Sequence, residues 1–315
     1  DLAAASERVA ATSKRNEKVA ILADVLRRLE PAEVGAATAF LVGATSLGRI
    51  GVGWATVAEV RSTPAATPSL AILDVDSAFA GLESLSGVGV QELRRGAIAT
   101  LLDAATEREQ RLIRAILHGE LRQGALEGVL TSAVAAAADV PVAAVRRAAM
   151  MAGDLGAAAA AALSGGSVAL DAVSMQPLRP VQPMLASPAG DVAEAMGTAA
   201  GVREAVQIDW KLDGARVQAH RSGTEVRLFT RNLNDVTDRL PEVVRVARSL
   251  PVESVILDGE VLGVDDSAAP RSFQDTMRRF GTDESGAARP IDELQKFIFD
   301  VMHVAALLHK VTTPD

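Results

Sequence analysis

The chain has 315 residues, 49% of them hydrophobic and 23% charged, a formal net charge of −8 and no cysteine. Disulfides, thiol nucleophiles and cysteine-ligated zinc are therefore excluded, while the apolar content suffices for packed cores in about two domains. The negative balance runs against the basic surface usual in nucleic-acid binders, although binding follows local patches rather than the sum, and no apolar run reads as long enough to span a membrane.

Residues 1–165 read almost entirely as helix. Val9, Val19, Leu22, Val25, Leu26 and Leu29 recur at helical spacing, and Pro31 ends the run. A second helix is expected over 32–47. Gly48-Arg49-Ile50-Gly51-Val52-Gly53-Trp54 lacks the strand–loop–helix context of a phosphate cradle, so it reads as a structural turn with Trp54 as a core anchor. Helices follow the loop at 63–68: one around 75–82, then 92–102 with Arg94 and Arg95, and 107–117 with Arg111 and Arg114. In His118-Gly119-Glu120-Leu121-Arg122-Gln123-Gly124, small residues flank Arg122, which can neutralise a phosphate of a closely approaching duplex. The residues alone fit a solvated helix connection equally well. A further helix spans 142–151, with Arg146 and Arg147 on its surface.

An Ala-rich stretch at 156–166 ends in Gly-Gly. Three prolines at 177–183 then mark an extended connector and a boundary. A short helix at 191–196 comes next. Past residue 200 the period changes from helical to alternating. Val206, Ile208, Trp210 and Leu212 share one face of a strand, Asp209 and Lys211 the other. Asp213-Gly214 turns the chain, and Arg216 returns on the next strand. A Lys amine is a poor nucleophile at its ordinary pKa of about 10.4. Burial or a neighbouring cation lowers that value, and an Arg beside it also grips phosphate oxygens. Val217 and Ala219 oppose Arg216, Gln218 and His220; Ser222-Gly223 turns a hairpin into Val226, Leu228 and Thr230. A helix over 241–250 has Pro241 in its first turn. Residues 255–262 read as a strand broken by Gly259, with Asp258 and Glu260 on one face. A short helix at 272–280 precedes an apolar strand at 297–303, in which Phe299 alone would read as core.

Lys211-Leu212-Asp213-Gly214-Ala215-Arg216 resembles motif I of the covalent nucleotidyltransferases: ATP-dependent DNA ligases, RNA ligases and capping guanylyltransferases. Residues 229–237 resemble their motif Ia, 255–262 motif III and 297–303 motif IIIa. Residues 119–124 are similar to the Gly-x-Leu-Arg-x-Gly segment of the helical DNA-binding domain of cellular ATP-dependent DNA ligases. Residues 179–186 resemble the Arg-Pro-x-x-Pro-Met-Leu-Ala entry to the catalytic domain. The order of these motifs resembles an ATP-dependent DNA ligase of the bacterial kind.

That resemblance implies a multidomain chain. An all-α DNA-binding domain over 1–172 would lead through a linker at 173–190 into an α+β nucleotidyltransferase domain over 191–315, ATP-grasp-like with antiparallel sheets. It implies that Lys211 carries AMP from ATP, that Asp209, Arg216, Arg231, Glu260 and Phe299 bind the nucleotide, and that Mg²⁺ assists, with Glu260 a metal ligand. Arg111, Arg114, Arg122 and Gly124 would contact nicked double-stranded DNA. A monomer in the bacterial cytoplasm, at the nucleoid, is expected. The sequence departs from the family after His303, where Asp-Gly is replaced by Val304-Ala305-Ala306, and nothing resembles motifs IV and V or an OB-fold domain. The expectation is a truncated or gapped catalytic domain. Two other readings compete: an RNA ligase or capping enzyme, because motif I is shared, and a helical DNA-binding protein with a degenerate transferase domain, against which Lys211 stands.

Overall fold

The computed structural model describes residues 2–45, 52–121, 127–183, 188–200, 206, 213–263, 272–278 and 296–307, the last strand by its backbone. They fall into two compact units, Asp1–Ser174 and Met175–Asp315.

The first unit is helical among its described residues: α1 Leu2–Ala10, α2 Arg15–Leu26, α3 Val34–Leu41, α4 Trp54–Glu59, α5 Ile72–Ser84, α6 Val90–Asp103, α7 Glu107–His118, α8 Glu127–Ala138, α9 Val142–Ala152 and α10 Leu155–Ala172. The run expected from Val9 to Leu29 is two helices. Thr12 breaks it by accepting from the Lys14 N–H at 3.2 Å and donating to Glu17 at 2.6 Å, a local alternative to helical bonding. A capping box starts α7: Thr106 accepts from the Glu109 N–H, and Glu109 accepts from the Thr106 N–H at 2.8 Å. Gly119, in the left-handed region at φ 66°, ends it.

Two sequence expectations fail in this unit. Trp54 is not a core anchor: it opens α4 and is 66% exposed, while Val57 of the same helix is fully buried. And α10, at 18 residues, is long and apolar enough by composition to cross a membrane. It bends at Gly166 (φ 58°, ψ −144°), and Leu155, Ala158, Ala159, Ala162 and Leu170 are buried in the helical core.

After α11 (Val192–Ala200), the second unit builds one antiparallel sheet in the order β2-β1-β3-β4, from β1 Ala215–Ser222, β2 Glu225–Thr230, β3 Val252–Leu262 and β4 Lys296–Leu307. Gly223 at φ 58° makes the β1–β2 turn. The amphipathic α12 (Pro241–Ser249) covers one face: its Val243 and Ala247 pack with Val217, Ala219, Val226, Leu228, Val255, Leu257 and Val261. Pro241 occupies the first helical position, where no N–H is needed. Gly259 does not break β3, which is paired on both sides there, to Val217 and to Phe299; the irregularity in the β4 register falls between Ile256 and Leu257. Finally, α13 (Phe273–Arg278) caps the end of β3, the buried Thr276 hydroxyl accepting from the Gly263 N–H at 3.1 Å.

Phe79 is fully buried and meets Phe40 edge-to-face at 5.5 Å. Replacing Phe79 with Ala should lower the stability of the helical unit by about 3–5 kcal/mol. Denaturant unfolding followed by circular dichroism reads this as a lower midpoint; an unshifted midpoint would show that the pair is not a core element.

Candidate active site

The face of the sheet opposite α12 is polar. Directly opposed residues of neighbouring strands share a face. The register sets Arg216 opposite Glu260, Gln218 opposite Asp258 and His220 opposite Ile256. One face thus gathers Arg216, Gln218, His220, Asp258 and Glu260.

Arg216 makes a forked ion pair with Asp258: Nε donates to Oδ1 at 3.0 Å and Nη2 to Oδ2 at 2.5 Å. The two side chains are 30% and 16% exposed, so the pair is only partly screened. The hydrogen-bonded Asp258 carboxylate holds the guanidinium above its ordinary pKa, with Glu260 adding a smaller push against partial burial. Gly214 lies against β3. A Cβ there would stand 2.5 Å from the Val261 carbonyl oxygen and 2.9 Å from Glu260 Cγ, so only glycine fits. Its N–H donates to Glu260 Oε1 at 3.2 Å. Asp213-Gly214 is therefore a contact surface that orients the Glu260 carboxylate as well as a turn.

Sequence reasoning missed Gln218 and His220. Alternation places them opposite Val217 and Ala219, which normally means solvent, yet they are 2% and 0% exposed. The Gln218 amide docks the chain ahead of the sheet: Nε2 donates to the Val181 carbonyl at 2.5 Å, and Oε1 accepts the Val181 N–H at 3.0 Å. Val181, within the proline-rich stretch, is buried at 1% exposure and belongs to this unit. His220 Nε2 lies 3.3 Å from Gln218 Oε1, an acceptor already, so the network assigns the ring proton to Nε2. Its ring meets Phe229 edge-on at 5.1 Å. Nδ1 is buried with no hydrogen-bond partner among the described residues. Burial lowers the His220 pKa from 6.5 to about 4.

Arg231 begins a tight turn after β2. Leu233 is held there at φ 61°, a conformation costing a non-glycine residue about 1–3 kcal/mol, with its N–H bonded to the Thr230 carbonyl at 2.8 Å. The Arg231 guanidinium is exposed and makes no ion pair among the described residues. In β4, Phe299 stands opposite Gly259. Lys211 and Asp209 lie outside the described residues, as do Arg122 and Gly124. Arg111 and Arg114 are engaged within the helical unit. Arg111 pairs with Glu7 at 2.7 Å and Glu107 at 3.0 Å, and Arg114 donates to the Val57 and Val60 carbonyls at 2.8 Å each. A guanidinium bound to two backbone carbonyls ties α7 to the end of α4. Among the described residues, no three His, Asp or Glu side chains converge as a metal site.

A helical unit followed by an antiparallel sheet with a charged motif face is the architecture of a two-part nucleotidyltransferase. Residues 44–135 match the family model described as DNA ligase N terminus, and residues 183–312 match the one described as ATP dependent DNA ligase domain. A protein of Pseudarthrobacter chlorophenolicus named probable DNA ligase is 49% identical over 304 residues, covering 96% of this chain and 58% of that protein. Proteins of the same name from Sorangium cellulosum and Rhodococcus opacus are 47% and 45% identical, each match covering 96% of this chain and 57% and 59% of those proteins. The solved structure Pmar-Lig_PreS3 shares the fold at a TM-score of 0.50 and 16% identity, over 98% of this chain and 57% of that one. The chain belongs to the ATP-dependent DNA ligase family. It spans a little under three fifths of the length of the curated relatives it matches.

Acidification should separate His220 from the bulk carboxylates. Between pH 6.5 and 4 the unfolded chain takes up a proton that the buried ring refuses. Its stability contribution is therefore intact above pH 6.5 and falls, by up to about 3 kcal/mol, as pH drops towards 4. A His220→Leu variant should lose correspondingly less stability over that window in parallel urea titrations. Parallel slopes for parent and variant would refute the assignment. Gly214→Ala should cost about 1–3 kcal/mol by overpacking against β3; an unchanged unfolding midpoint would mean that the close approach does not exist.

Proposed function

We propose that the whole protein is an ATP-dependent DNA ligase that seals 5′-phosphate/3′-hydroxyl nicks in duplex DNA. The observation that carries this reading is the order of features: a helical unit matching the ligase N-terminal family, then Lys211, then a sheet face holding Arg216, Asp258 and Glu260. The helical match favours ligase over capping chemistry, with residues 1–172 serving as the DNA-binding domain, 173–190 as the connector and 191–315 as the adenylation domain of ATP-grasp-like fold.

The Lys211 amine attacks the α-phosphorus of ATP and displaces pyrophosphate, forming a phosphoramidate. The adenylate passes to the 5′-phosphate at a nick, and the 3′-hydroxyl then attacks that phosphate and expels AMP. Positioning and charge neutralisation dominate such transfers. Arg216, aimed by Asp258, and the exposed Arg231 hold phosphate or ribose oxygens. Glu260, oriented by the Gly214 N–H, accepts from the ribose hydroxyls. Asp209 reads adenine, and Phe299 stacks on it. Mg²⁺ is commonly held by one or two carboxylates together with substrate phosphates, so Glu260 fits as one of its ligands and the ion would neutralise phosphate charge. On the DNA side, Arg122 and Gly124 meet the duplex backbone. Arg111 joins them by exchanging its exposed partners, and Arg114 acts through the backbone it fixes. The enzyme works as a monomer in the cytoplasm, on the nucleoid.

The complete protein, given labelled ATP and Mg²⁺, should form an acid-labile AMP adduct that Lys211→Ala abolishes together with sealing. Labelling by GTP alone, or an adduct that survives the substitution, would overturn the reading.

A further inference from the structure

The first unit has three Phe or Trp residues and no Tyr, and two of the three, Phe40 and Phe79, are buried in its core. The third, Trp54, is 66% exposed although an indole gains much from burial. It is not exposed by slackness. The six-residue α4 is fastened by Thr56 to Gln91 at 3.3 Å, by Glu59 to Arg95 at 3.2 Å and by the Val57 and Val60 carbonyls to Arg114. Val57 is its buried anchor. The indole rests over the His118 ring, centroids 5.6 Å apart and planes tilted by 35°.

His118 ends α7 and opens the segment that resembles the ligase DNA-contact motif. Leu121, early in that segment, lies close to α3's end: a Cβ on Gly43 would stand 2.7 Å from Leu121 Cβ. Gly53 and Gly119, which flank Trp54 and His118 in sequence, are both exposed and leave room for a backbone to approach. Just past α4, the exposed Arg61 makes no ion pair among the described residues. Exposed glycines, an exposed cation and an exposed indole on a fastened helix together fit a phosphodiester backbone better than a protein surface. In a duplex the base faces are stacked on one another, so the apolar surface open to an indole is deoxyribose.

We propose that Trp54 is a DNA-contact residue whose indole packs on a deoxyribose of the nicked duplex, beside the His118–Gly119 corner, with Nε1–H directed to a phosphate oxygen. The proposal rests on the reading that the helical unit binds duplex DNA. It adds an apolar contact, independent of salt, to an interface otherwise described by charge. It also gives Arg114 a task in binding, as the residue that positions the helix bearing Trp54.

The test is the affinity of the complete protein for a labelled nicked duplex, by fluorescence anisotropy over a series of salt concentrations. Trp54→Ala should weaken binding about tenfold at every salt concentration, leaving the slope of log K against log salt unchanged, and Trp54→Phe should retain most of the affinity. Arg122→Ala should instead flatten that slope by about one. Parental affinity for Trp54→Ala, or a flattened slope, would overturn the proposal; with Arg122→Ala still impaired, the DNA-binding reading of the helical unit would survive. If neither substitution altered binding, both would fall. An unchanged melting temperature for Trp54→Ala excludes misfolding as the cause of weaker binding, and Trp54→Phe reports on the contact if the Ala variant melts lower.

Discussion

Everything proposed for the second unit depends on the antiparallel pairing of β1 with β3. In that register Arg216 and Glu260 are direct opposites, and Arg216 reaches diagonally to fork onto Asp258. A slip of one residue would turn this whole set to the face covered by α12. The register is fixed from both faces. Val217, Ala219, Leu257 and Val261 lock it from the α12 side, and Gln218 locks it from the other by clamping Val181. At its start, Gly214 lies so close to β3 that no side chain can replace its hydrogen. The charged groups are therefore preorganised: the acid that orients Arg216 and the N–H that orients Glu260 are in place before any nucleotide arrives.

The helical unit treats its charge differently. In a chain of net charge −8, several described arginines are paired internally: Arg28 with Asp24, Arg95 with Glu59 and Glu92, Arg108 with Glu7, and Arg111 with Glu7 and Glu107. The hydrogen bond from Arg111, with help from Arg108, holds Glu7 below the ordinary carboxylate range. Exposed pairs of this kind contribute little to stability and exchange readily. Counting arginines along a helix thus overstates the cation available to a phosphate. The cations that matter are the few, such as Arg61, that make no ion pair among the described residues, and those, such as Arg114, that shape the surface indirectly.

Much of the fold could be read from periodicity. The helical first half, the change to alternation past residue 200, the Gly223 hairpin and the Pro241 helix all have local causes. What escaped had distant causes. Gln218 is buried because its partner lies 37 residues upstream, and a strand pattern does not see that distance. Trp54 was expected inside because indoles usually are; its exposure follows from anchors on α6 and α7. Gly259 looked like a break and is an ordinary rung of a ladder paired on both sides. For the site, the sequence supplied Arg216, Asp258 and Glu260 as residue types at a spacing. The register supplied which of them meet.

The central claim, that Asp258 aims Arg216 for its work, is open to a double-mutant cycle on the rate of lysyl-AMP formation in the complete enzyme. Arg216→Gln and Asp258→Asn should each slow the step. The double variant should be scarcely slower than the worse single one, giving a coupling energy of about 1–3 kcal/mol. Effects that simply multiply would mean that the two residues act apart and that the β1–β3 face is not the organised unit described here.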